Sequence, residues 1–134
     1  MNPAFLGKWN LDKARSWGGE AFAKALGMPD EQFAMFDKME LALTISKEGG
    51  GYKFSFDFKG AAASYVVTVG EPVTVPMLDG TSARLTLTIV GDTVKEKYKT
   101  TKFAWTITRT VSGKEQKVVS AAGDAKMTHF FVKE

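Results

Sequence analysis

Arg109 stands in the run FAWTITRTV, residues 103 to 111, where alternate positions separate by chemistry. Side chains on a strand alternate with period two. Phe103, Trp105, Ile107, Arg109 and Val111 therefore share one face, and Ala104, Thr106, Thr108 and Thr110 share the other. A guanidinium in a dry apolar interior costs several kcal/mol unless it is paired. Either that face is wetter than its neighbours suggest, or something anionic meets Arg109 there. With no partner evident, neutralising Arg109 is expected to stabilise the empty protein. His129 is the sole histidine, and there is no cysteine. A Cys–His nucleophile pair and a metal site of the usual His/Cys kind are therefore excluded. A Ser–His–Asp set would have to use His129, yet no Gly-x-Ser-x-Gly elbow occurs. There is no glycine-rich phosphate loop and no dinucleotide fingerprint. The residues point to binding and not to catalysis, with no cofactor.

The elements that must position these groups follow from the pattern of the chain. At 134 residues it makes one domain, 1–134, long enough to bury a sizeable core. Ten Phe and three Trp are a large apolar volume to house. Net charge is +3, too mild to argue for nucleic acid. No apolar run reaches the length of a membrane span. The start MNPAFLGKWN lacks the features of a secretory signal, and the absence of cysteine leans toward a reducing compartment, so a cytoplasmic location is expected.

FLGKWNL (5–11) is strand-like, and residues 16 to 39 are helical in character. Ser16 is placed to cap a first helix that Gly27 ends, and Pro29 opens a second, with Phe33, Phe36 and Met39 three apart on one face. That second helix carries Asp30, Glu31 and Asp37, the wrong charge for reading DNA. From residue 40 onward strands and tight turns alternate, with Gly-Asp, Asp-Gly and Ser-Gly at the bends. Counting the N-terminal strand gives ten. Many short antiparallel strands suggest a meander closing on itself, which removes exposed edges. Ten strands exceed the roughly eight whose side chains fill a barrel interior, so a cavity is expected. A two-sheet sandwich is the competing architecture. Lys95, Lys97 and Lys99 alternate along one strand and read as a solvated face.

Several local runs resemble one family. Gly7-Lys8-Trp9 resembles the G-x-W start of lipocalin-like barrels. Lys24-Ala25-Leu26-Gly27 looks like the end of the first helix in intracellular fatty-acid-binding proteins. Phe58-Lys59 sits where that family has a portal phenylalanine, and Gly123 opens a final hairpin of the right length. The order strand, two helices, nine strands spans the entire chain. The sequence thus resembles the intracellular lipid-binding proteins, the fatty-acid- and retinoid-binding carriers.

The resemblance implies an all-β fold: a ten-stranded antiparallel up-and-down barrel, or β-clam, with a helix-turn-helix lid at about 16–39 between the first two strands. It implies a carrier that holds a long-chain fatty acid in an internal cavity, and a monomer is expected. Lys24, Lys38 and Lys59 lie around the lid elements and are expected to meet anionic membrane surfaces transiently. In that family the head group is held by an arginine on the eighth strand, matched by Arg109, and by an arginine-x-tyrosine pair on the tenth. Here that pair maps onto His129 and Phe131, so one cation and the phenol are missing. This leaves room for a carboxylate held by Arg109 alone, for an alcohol or aldehyde such as a retinoid, or for a scaffold barrel acting through a protein partner. Trp17, Phe33, Phe36 and Phe58 are expected to form an apolar gate.

Overall fold

Ten strands account for most of the chain, and their hydrophobic alternation sets which side faces inward. In β7 (Thr93–Lys99), Val94, Glu96 and Tyr98 are buried while Lys95, Lys97 and Lys99 are exposed. In β6 (Ser82–Val90), Ala83, Leu85 and Leu87 are buried. The computed structural model describes residues 1–27, 29–31, 34, 40–58, 61–76 and 82–134, and only the backbone of Trp17 and Ala61.

The other strands are β1 (Gly7–Trp17), β2 (Leu41–Glu48), β3 (Gly51–Phe58), β4 (Ala61–Val67), β5 (Val73–Pro76), β8 (Ala104–Ser112), β9 (Glu115–Ala122) and β10 (Ala125–Lys133). All pair antiparallel in one sheet, in the order β4-β3-β2-β1-β10-β9-β8-β7-β6-β5. Sequence neighbours pair at every step but one: β4 and β5 stand at the two ends of the ladder, while β1 and β2 pair although the helical segment separates them. The sheet curls until these ends meet. Tyr65 of β4 reaches Tyr98 of β7 across the interior, with the two hydroxyls 3.1 Å apart. The result is the nearly closed barrel expected from the strand count, and not a sandwich.

One end is plugged by apolar side chains. A short 3-10 turn, Pro3–Phe5, buries Phe5, whose carbonyl accepts from the Trp9 indole at 2.9 Å. Leu43, Ile45 and Phe54 are fully buried with them. The tight hairpins match the turn residues read from the sequence. Between β9 and β10, Gly123 takes φ +58° in a two-residue Gly-Asp loop, as the right-handed strand twist prefers.

The first strand runs further than the sequence suggests. It continues to Trp17, with a shift of register against β10 between Asp12 and Trp17. The Ser16 hydroxyl donates to the Asp12 carbonyl at 3.0 Å, so it stabilises this irregular strand and caps no helix. Arg15 pairs with Asp12 and Glu115 and stacks over Phe130, tying the segment to β9 and β10. The first helix, α1 (Gly19–Ala25), begins after Gly18 at φ +82°. A Cβ there would lie 2.3 Å from the Lys126 carbonyl oxygen, so only glycine lets the chain turn so close to β10. Gly27, at φ +71°, ends the helix as expected. The segment expected to form a second helix falls largely outside the described residues, with Phe33, Phe36, Lys38 and Met39, and so does Lys59 beyond β3.

Candidate functional site

Arg109 does lie inside, with 4% of its surface exposed. It is not an unpaired cation. Its Nε donates to Glu96 Oε2 at 2.5 Å, and its Nη1 donates to Gln116 Oε1 at 3.0 Å. Glu96 is fully buried, and its other oxygen accepts from the Tyr98 hydroxyl at 2.7 Å. Both carboxylate oxygens thus act as acceptors, as an ionised group does. The chain of contacts Tyr65–Tyr98–Glu96–Arg109–Gln116 crosses the barrel from β4 to β9. The expectation that neutralising Arg109 stabilises the empty protein is therefore reversed, because Glu96 would be left alone.

Register explains why these residues converge. Arg109 is opposite Val94 on β7 and Val118 on β9, and Val118 is opposite His129 on β10. These four make one row on the inner face. Glu96 is opposite Ile107, one step along the same faces. Phe131 is opposite Gln116 and Leu11 and is buried. Aromatic rings wall the cluster. Phe54 stacks on Tyr65 with centroids 5.7 Å apart, Tyr98 stacks on Trp105 at 5.2 Å, and the Arg109 guanidinium lies 5.6 Å from the Phe54 ring centre. Such contacts place a delocalised cation against the negative ring face.

The electrostatics follow from burial and pairing. Burial works most strongly against the Arg109 cation, but Glu96 together with Tyr98 and Tyr65 raises its pKa on balance. Burial, and next the Glu96 charge, push both tyrosine hydroxyls up, so they stay protonated as donors. Burial first and Arg109 second hold the His129 imidazole below its ordinary pKa. Both causes favour a neutral histidine beside Arg109. One polar atom is left over. Gln116 is fully buried, and among the described residues its Nε2 has no hydrogen-bond partner.

The sequence-derived site residues divide accordingly. Arg109, His129 and Phe131 come together on the inner face of β8 and β10. Phe58 is half-buried where β3 ends, opposite Leu41 and Ala61, at the end of the barrel where the helical segment rejoins β2. The Trp17 backbone closes β1 opposite Thr128. Phe33 and Phe36 are outside the described residues. Glu96, Tyr98, Tyr65 and Gln116 were missed. The signal was present in TVKEKYK: if Lys95, Lys97 and Lys99 face water, then Val94, Glu96 and Tyr98 face inward by the same alternation.

No protein-family model and no curated protein sequence matches the chain. Solved structures do match. Fatty-acid-binding protein 1 of Echinococcus granulosus superposes with a TM-score of 0.90 over 97% of each chain at 21% identity. The Schistosoma mansoni fatty acid binding protein, solved in complex with arachidonic acid, gives 0.90 at 19% identity, covering 98% of this chain and 96% of that one. The chain has the fatty-acid-binding-protein fold. A secretory abundant heat soluble protein of Ramazzottius varieornatus shares this β-clam at a TM-score of 0.89 and 20% identity, covering 100% of this chain and 97% of that one. The β-clam therefore assigns no compartment. Among the described residues, no helix is long and apolar enough to cross a membrane.

Proposed function

We propose that the protein is a non-catalytic carrier that holds one single-chain lipid inside the barrel. The observation that carries this reading is the buried polar chain from Tyr65 to Gln116, set in a largely apolar β-clam interior and ending in an amide N–H without a partner among the described residues. A barrel interior built only for stability would be more simply filled by apolar side chains, because replacing a buried ion pair with them is often neutral or stabilising. The polar chain can fix a head group while the aromatic and aliphatic walls take the tail. The complex of the Schistosoma mansoni neighbour with arachidonic acid supports a lipid of this shape.

Burying an acyl chain yields on the order of 0.8 kcal/mol per methylene, of which association and ordering remove about half or more. A sixteen-carbon tail then leaves roughly 5–8 kcal/mol, micromolar affinity at best. Tail burial supplies most of the affinity, and the polar cluster sets orientation and head-group choice. Organic extraction of the purified protein followed by mass spectrometry tests the reading. One single-chain lipid per protein is expected. A protein that yields none and takes none up when offered lipid contradicts it.

A further inference from the structure

We infer that Glu96 makes the interior site select a lipid whose head group is uncharged and carries an acceptor oxygen, such as an amide or alcohol, over a carboxylate anion. The inference rests on the carrier reading and deepens it. Two independent features of the cluster lead there. First, the anion that Arg109 would bind from a ligand is already supplied by the protein. Glu96 occupies Nε, and Gln116 occupies Nη1. A ligand carboxylate brought to the same guanidinium would put a second negative charge beside Glu96 in a buried site, with one cation between the two. Like charges so placed disfavour joint ionisation.

Second, the buried side-chain atom left without a partner among the described residues is a neutral donor, Gln116 Nε2. Because Gln116 Oε1 accepts from Arg109, the amide is fixed in orientation, and Nε2 points away from the guanidinium. An oxygen that can accept from Nε2 satisfies the one buried polar atom the described cluster leaves unpaired, and it needs no charge to do so.

No other side chain described on the surrounding strands compensates a second anion. Facing Glu96 are Tyr98 on its own strand, Arg109 from β8 and Tyr65 from β4, while the inward residues of β6 are Ala83, Leu85, Leu87 and Ile89, all uncharged. From β10, His129 faces the same row, and burial together with Arg109 favours its neutral form. A fatty acid that does enter must therefore bring a proton for the pair of carboxyl groups.

The test compares oleamide with oleate, both below their aggregation limits at pH 8, by titration calorimetry on the delipidated protein. Oleamide is expected to bind at least about tenfold tighter, the equivalent of one pKa unit. Glu96→Gln frees the guanidinium and should reverse the order. The second arm uses the unmodified protein and needs no variant to fold. Oleate titrated in two buffers of different ionisation heat should show uptake of close to one proton, and oleamide none. Oleate binding as tightly as oleamide without proton uptake overturns the selection and leaves the carrier standing. Uptake of that proton by the His129 ring, read by NMR, also overturns it, because His129 would then be a second cation for an anionic ligand. No binding of either lipid removes the carrier reading and this inference together.

Discussion

The Nε of Arg109 lies 2.5 Å from Oε2 of Glu96, both side chains within the barrel and almost wholly out of water. Thirteen residues apart in sequence, they meet because β7 and β8 pair antiparallel with both inner faces in register. Removing one member of such a pair strands the other. Arg109→Gln is therefore expected to destabilise the lipid-free protein by about 3–5 kcal/mol. Arg109→Gln combined with Glu96→Gln should recover most of that loss. Urea midpoints of the four proteins check this, and a single variant as stable as the parent would show that the pair is not coupled.

The Tyr98 hydroxyl donates to a buried carboxylate, whereas among the described residues the Tyr65 hydroxyl meets a neutral phenol. Hydrogen bonds to charged groups contribute about 1.5–3 kcal/mol and neutral ones about 0.5–1.5. Tyr98→Phe should therefore cost more than Tyr65→Phe, although both keep their ring stacking. The comparison is made by chemical denaturation, and equal costs would argue that Glu96 does not draw on the Tyr98 hydroxyl.

His129 gives the fold a pH dependence of definite sign. Its pKa is lowered in the folded state by burial and by Arg109, while the unfolded chain has the ordinary value of about 6.5. Above that value both states are neutral and the group costs nothing. As pH falls below it, the unfolded chain takes up a proton that the folded one refuses, and stability is lost until the folded pKa is passed. His129→Gln should flatten the fall in stability between pH 7 and pH 5. Because His129 is the only histidine, its ring signals give the folded pKa directly; a normal or raised value would place the ring in water or beside an anion.

Gly18 is where the chain leaves β1 for α1. Gly18→Ala introduces a Cβ 2.3 Å from a backbone oxygen that cannot rotate away, at φ +82°. A left-handed backbone costs a non-glycine residue about 1–2 kcal/mol before the clash is counted. The variant should melt lower or detach α1 from β10, seen as faster amide exchange in residues 19–25. Unchanged exchange and melting would mean that the close approach to Lys126 is absent in solution.

The strand count, the closure, the inward face of β8 and the glycine at the end of α1 were legible because each is a local pattern. Arg109 was legible as an anomaly but its partner was not: pairing depends on register between strands, which periodicity within a strand does not contain. Even so, the three outward lysines of β7 implied an inward Glu96. Ser16 misled for a related reason. A serine followed by a helical run is a sound capping signal, but Arg15, held by Asp12 and Glu115, stabilises strand at the same place. Gln116 showed no signal at all, since a glutamine opening a strand next to a turn reads as a surface residue until the register puts it opposite Phe131.

The interior location of the lipid is tested most directly by the Gln116 side-chain amide. The chain has only two glutamines and two asparagines, so its NH2 signals are few enough to assign by substitution. On saturation with oleamide, the Gln116 pair should shift and exchange more slowly, because Nε2 acquires an acceptor, while the outward face of Lys95, Lys97 and Lys99 stays unchanged. Saturable binding with shifts confined to outward-facing residues, and a Gln116 amide that does not move, would contradict a lipid held at the Glu96–Arg109–Gln116 cluster.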